Sequence, residues 1–233
     1  MSPVRAAPAL VVTALCAASL PAIAAEPCGG SFWKPEDIPS LTLGAVKAAE
    51  KRVYFVDGEA EACPSAAPAC RLKEYLVGGD TVVIEDRSGD FVCASYVNAK
   101  GRLTVGWLPA SAIDAPAATP LAKPGDFLGR WRSTSASIII TQGKRDLLAI
   151  EGEATYPTAG GSVNLGDLAA DAAPKYGELY FGVDAEGNAV PPDEAGEFDC
   201  VVRLKRLGPY LVAADNLNCG GHNVTFSGIY TKR

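Results

Sequence analysis

The stretch TVVIEDRSGDFVCASYVNAKGRLTVGWL, residues 81–108, decides the fold. Residues 81–85 are a β-branched run closed by Asp86-Arg87-Ser88-Gly89-Asp90. Residues 91–97 follow, then the turn Asn98-Ala99-Lys100-Gly101, then residues 102–108. Short apolar segments at this spacing, separated by Gly, Asp and Asn turns, predict the antiparallel strands of a small barrel. Upstream, Val53-Tyr54-Phe55-Val56 adds another strand and ends at Asp57-Gly58. Before it lies a mixed lead-in, residues 26–49, with a short helix expected over residues 43–51.

Downstream the composition changes. Residues 115–125 form a Pro/Ala linker without apolar periodicity, which should hold an extended, semi-rigid path. It separates a domain at residues 50–114 from a second at residues 126–233. The second is again β-rich. Residues 137–141 and 146–151 predict a hairpin across Gln142-Gly143-Lys144-Arg145. Further strands are expected at 178–183, 199–207, 210–215 and 223–231, with Leu207-Gly208-Pro209-Tyr210 as one of the turns. The expected fold class is all-β, with two small β-barrel domains. The second is either a small barrel or a β-sandwich.

The first 25 residues hold one positive charge, Arg5, no acid, and an apolar run over residues 9–20. Small residues Ala22, Ala24 and Ala25 follow, just before Glu26-Pro27. This is the order of a secretory signal peptide cut near Ala24 or Ala25. The apolar run is shorter than the roughly 20 residues of a membrane span. The mature chain is therefore expected to be periplasmic or secreted.

The whole chain carries 21 Lys+Arg against 27 Asp+Glu. Losing Arg5 leaves 20 against 27, a net charge of −7. No basic run occurs, so nucleic acid and anionic lipid surfaces are not expected partners. Six cysteines remain after Cys16 leaves with the signal: Cys28, Cys63, Cys70, Cys93, Cys200 and Cys219. An even number in an exported chain predicts disulfides. Cys63 and Cys70 flank a short Pro-containing loop, and Cys200 and Cys219 sit on neighbouring strand segments. That leaves Cys28 for Cys93.

Tyr75-Leu76-Val77-Gly78-Gly79-Asp80-Thr81-Val82 and Gly106-Trp107-Leu108-Pro109-Ala110-Ser111-Ala112-Ile113 resemble the strand-entry and closing segments of bacterial SH3-like domains. The resemblance covers residues 50–114. It implies a small barrel that binds or spaces rather than catalyses, and it makes Tyr75 and Trp107 candidate ligand-surface aromatics. This chain lacks the late tyrosine of the proline-binding groove, having Ala112 there, so PxxP recognition is not implied. In the second domain Gly129, Trp131 and Arg233 (or Lys232) are similar to the lipocalin-like pattern, which implies an indole covered by a terminal cation. Residues 215–226 resemble closing segments of small exported bacterial proteins, some of them near lysozyme-inhibitor-type domains.

Catalytic chemistry finds little support. The chain has one histidine, His222, and its neighbour Cys219 is expected in a disulfide, so no nucleophile–base pair forms. No Cys-x-x-Cys occurs, and one histidine makes no ordinary zinc set. Asp184, Glu186 and Asn188 have the early spacing of a calcium loop, but Ala189 and Ala195 stand where its glycine and bidentate glutamate belong. No metal or cofactor is expected. The expected function is an exported, non-enzymatic binding module for a cell-wall component or an extracytoplasmic protein. The alternative is an inhibitor of a cell-wall hydrolase such as lysozyme. Candidate binding residues are Tyr75, Trp107, Asn216, Asn218 and His222; the last three crowd a Gly-rich turn, and the loop 217–222 is the segment an inhibitor would present.

Overall fold

A computed structural model describes residues 28–29, 33–60, 62–114 and 120–233. The expected signal, and residues 115–119 of the linker, lie outside the described residues. The chain is all-β: 50% strand against 7% helix, with one half-barrel sheet and one nearly closed barrel.

The first sheet holds β1 (Thr42–Val46), β2 (Val53–Val56), β3 (Arg71–Leu76), β4 (Thr81–Ser88), β5 (Phe91–Val97), β6 (Leu103–Pro109) and β7 (Ile113–Asp114). Its order is β3-β2-β6-β5-β4-β1-β7. The quoted stretch supplies its three central strands. The helix expected over residues 43–51 does not form: residues 43–46 belong to β1 and residues 47–51 make a turn. Gly44 explains this: it disfavours helix, and a Cβ there would lie 2.6 Å from the Ile84 side chain. Only a bare backbone lets β1 close the gap between β4 and β7.

The second sheet holds β8 (Gly129–Arg132), β9 (Ala136–Gln142), β10 (Leu148–Pro157), β11 (Val163–Ala172), β12 (Glu178–Val183), β13 (Ala189–Val190), β14 (Cys200–Leu207), β15 (Tyr210–Asp215) and β16 (Gly228–Lys232). Its order is β11-β10-β9-β8-β16-β15-β14-β12-β13, and β11 returns beside β12 and β13 to bring the barrel near closure. β11 has no counterpart among the expected strands. Its inward positions Gly166, Leu168 and Ala172 include only one large apolar residue, so the alternation signal is weak. The last strand starts at Gly228 rather than at 223. Residues 225–227 are taken instead by the Asp215 carboxylate, which accepts from Thr225 Oγ1, the Phe226 amide and Ser227 Oγ.

Three disulfides form with the expected pairing: Cys28–Cys93, Cys63–Cys70 and Cys200–Cys219. They indicate an oxidising, extracytoplasmic compartment. Among the described residues no helix is long and apolar enough to cross a membrane.

Trp131 is buried, and its indole N–H donates to the Phe127 carbonyl at 2.7 Å. The cations over its ring are Arg206 of β14 at 4.4 Å and Lys232 at 5.4 Å. Of the two terminal cations expected there, Lys232 is the one over the ring; Arg233 lies elsewhere, near Gly101. Gly129, at φ +128°, leaves room for the Lys232 stem, which a Cβ would meet at 2.6 Å.

The two sheets share an apolar core. Trp33, Ile38 and Leu41 of the lead-in pack with Val83 of β4 and with Leu207, Tyr210, Val212 and Ile229 of the second sheet. Polar clamps hold the lead-in there. The Lys205 ammonium donates to the carbonyls of Ile38, Pro39 and Leu41 at 2.8–3.3 Å. Arg203 pairs with Glu178 at 2.7 Å and reaches the Pro35 carbonyl at 3.4 Å. Tyr210 crosses to the first sheet and donates to the Thr81 carbonyl at 2.9 Å.

Burial, aided by nearby Tyr96 and Asp80, pushes the Tyr210 phenol up to about 12. A phenol is neutral when protonated, so a raised folded-state value means the folded chain holds its proton more tightly. That stabilisation is complete below pH 10 and is lost as pH rises from 10 toward 12. Two units correspond to about 3 kcal/mol. Tyr210→Phe should flatten the alkaline arm of the stability–pH curve between pH 10 and 12. Urea titrations across that range check it, and an unchanged arm would refute the assignment.

Candidate functional site

The two first-domain candidates part company. Trp107 is only 1% exposed and packs with the Cys28–Cys93 and Cys63–Cys70 disulfides. Both faces of β6 are covered at this point, which is why Gly106, Trp107 and Leu108 are buried in succession. Gly58 is needed to admit the indole: a Cβ there would lie 2.2 Å from its nitrogen. Trp107 is therefore a core residue and presents no surface to a ligand. Tyr75 is 44% exposed, but it lies in a self-contained ladder. Arg52 sits 4.7 Å over its ring, Tyr54 is 5.5 Å away, and Arg71 sits 3.3 Å over Tyr54. Arg52 also holds the Tyr54 phenol below its usual value.

The second-domain candidates fall on one loop, residues 216–223, between β15 and the segment leading to β16. It is anchored on three sides. Asn216 continues the ladder beyond β15: its amide donates to the Val201 carbonyl, and its side-chain oxygen accepts from the Val201 amide at 3.0 Å. The Asn216 and Asn218 side-chain amides donate to the Asp199 and Glu197 carbonyls at 2.8 and 2.9 Å. On the other side Gly221 donates to Leu165, and Asn164 donates to the His222 carbonyl at 2.7 Å. Gly220 meets Gly166 so closely that a Cβ on Gly220 would lie 2.7 Å from the Gly166 Cα. The Cys200–Cys219 bridge pins the centre.

Asn216 and Asn218 thus hold the loop, while His222 is exposed and its imidazole has no hydrogen-bond partner among the described residues. With Cys219 in a disulfide, no thiol stands near the imidazole among the described residues. At the apex sits Leu217, 67% exposed with a backbone φ of +66°. That left-handed conformation costs a branched side chain about 1 kcal/mol. Two grooves flank the loop. One, of about 700 Å³, is lined by Trp33, Lys34, Tyr156, Leu217 and His222. The other, of about 500 Å³, is lined by Leu165, Asp167, Val183, Asp184, Phe198 and Asn218. Phe198 is 83% exposed.

Leu217 lay inside the segment singled out from sequence, but its apical role, and the partnership of Phe198, Tyr156 and Trp33, had no local signal. These residues come to opposite flanks of the loop only through the strand order. The Asp184 loop is closed on itself: the carboxylate accepts from the Glu186 and Asn188 amides and from the Asn188 side chain at 2.7–3.0 Å. These bonds hold it below the usual carboxylate range. Among the described residues no three His, Cys, Asp or Glu side chains gather closely enough to hold a metal ion. No protein-family model, curated protein or solved structure matches the chain.

Proposed function

We propose that this chain is an exported, non-enzymatic binding protein that meets an extracytoplasmic protein through loop 216–223. The observation that carries this reading is Leu217. A large apolar side chain stands in solvent, on a backbone conformation that glycine or asparagine would occupy at lower cost. A strained backbone on a stiff, exposed loop that also bears a binding-type side chain motivates a functional reading. Phe198 and Leu165 extend the apolar area, and Asp167, Asp184 and Glu197 supply an acidic rim. Such a surface suits a basic partner. The same rim favours the narrower reading of an inhibitor seated in the basic cleft of a cell-wall hydrolase. The SH3-like first domain would then act as a spacer, or as a second contact through the Tyr75 ladder.

Leu217→Asn is the sharpest test. Asparagine tolerates the left-handed region, so stability should rise by about 0.5–1 kcal/mol. Losing a leucine that becomes buried on binding should weaken association at least about tenfold. Binding is measured against purified cell-wall sacculi and, by inhibition of turnover, against a basic lysozyme. If Leu217→Asn stabilises but binds as before, the site lies elsewhere, with the Tyr75 face next in line. If the unmodified chain does not inhibit the lysozyme, the hydrolase-inhibitor reading fails; binding to sacculi that survives Leu217→Asn would move the site off the loop.

A further inference from the structure

We infer that the cleft between the two sheets binds an anionic carbohydrate, through carboxylate or phosphate groups carried on a hydroxyl-rich ligand. The cleft has a volume of about 730 Å³, within the usual range of ligand pockets. Lys100 and Arg102 reach it from the β5–β6 turn, and Arg132 and Arg233 from the second sheet. All four side chains are exposed, and none has a carboxylate within salt-bridge distance among the described residues. The lining contains no aspartate or glutamate.

This concentration is unusual for this chain. Its net charge is −6, and its other well-placed cations have work inside the molecule. Arg203 and Lys205 clamp carbonyls, Arg206 covers Trp131, and Arg52 and Arg71 stack on tyrosines. The cleft cations have no such task. The two sheets meet closely here: the Arg233 guanidinium lies 3.7 Å from the position a Cβ would take on Gly101. Clustered like charge between packed surfaces raises the local potential and favours an oxyanion, for which arginine offers paired donors.

Hydroxyls decide the rest of the chemistry. The lining continues through Ser133 and Thr134 into a second groove with Ser135, Ser137 and Thr155. In register, Arg132 faces Ser137, which faces Glu153, so cations give way to hydroxyls and then to an acid along one line. No aromatic ring lines either groove, so stacking of nucleobases has no platform. The four cations stand at positions 100, 102, 132 and 233, which is why no basic run marks them in the sequence.

The site is independent of loop 216–223, so the two proposals fail separately. Calorimetric titration at low ionic strength compares tetragalacturonate, neutral maltotetraose, inorganic phosphate and an oligo(dT). Tetragalacturonate should bind, maltotetraose should not, and added salt should weaken binding. The double variant Arg102→Glu/Arg233→Glu should lose about 100-fold, tenfold for each charged contact, with its melting temperature unchanged. Leu217→Asn should bind tetragalacturonate as the unmodified chain does. Phosphate binding as tightly as tetragalacturonate would assign a simple oxyanion site and overturn the carbohydrate. Tighter binding of oligo(dT), or no effect of charge reversal, would overturn the inference altogether.

Discussion

Trp33→Ala should destabilise the folded chain by about 2–4 kcal/mol and uncouple the two sheets. Truncating a buried tryptophan costs about 3–5 kcal/mol through lost transfer energy and the cavity left behind. Trp33 is 7% exposed and packs in the cluster shared by the lead-in, β4 and the second sheet. One term runs the other way. Among the described residues the buried indole nitrogen has no hydrogen-bond partner, so truncation also removes an unsatisfied donor worth about 1–3 kcal/mol. The net lies toward the lower end. Urea denaturation followed by circular dichroism reads the loss. The form of the transition reads the coupling: one cooperative step should broaden or divide once the shared core is opened. A loss under 1 kcal/mol with a single sharp transition would mean that the Lys205 and Arg203 clamps hold the sheets without the indole. Trp33 also lines the larger groove beside loop 216–223, so the variant should disturb that surface as well. Leu217→Asn, which should stabilise, keeps the binding question separate.

Residues 81–108 were readable because their alternation, their turn residues and their final fold agree. The same holds for β12 and β15, whose boundaries match the expected runs. The disulfides were readable for a simpler reason: short chain separation leaves two pairs obvious, and the third follows by remainder. Elements that failed are those whose identity is set by distant neighbours. β1 depends on Ile84 and Ile113 needing a glycine between them. β11 buries small residues, so period-two contrast is faint. Trp107 sits on a face that would be solvated but for a disulfide arriving from Cys28. At the candidate site, the loop was legible from its Asn and Gly content. Which of its side chains are anchors and which are free was not, because the answer lies with Val201, Asp199, Glu197 and Asn164 on other strands. The basic cleft was the least legible of all, since net charge averages over the distances that matter.

Asp215→Ala should cost about 2–4 kcal/mol and loosen the whole segment from 216 to 227. Asp215 is 1% exposed, and among the described residues no cation pairs with its carboxylate. Its charge is met by donors alone: Thr225 Oγ1 and Ser227 Oγ on one oxygen, and the Phe226 amide at 3.0 Å on the other. Removing the carboxylate leaves the buried Phe226 N–H unpaired, while the two hydroxyls can turn elsewhere. Ser227 Oγ already lies 3.3 Å from the Trp33 carbonyl. The cost is therefore that of one orphaned donor plus lost charge-assisted bonds, offset by no longer burying a charge. Asp215→Asn should cost less, since its oxygen can keep one of the two sets of donors. Amide hydrogen exchange distinguishes this anchor from the disulfide. In Asp215→Ala the Gly221, Val224 and Phe226 amides should exchange faster than in the unmodified chain, although Cys200–Cys219 remains closed. Unchanged exchange at these three positions would mean that the bridge and the Asn164 contact hold the loop alone. In that case the carboxylate would serve only the β15–β16 connection, and the stiffness that lets Leu217 stand in solvent would have to come from Cys219.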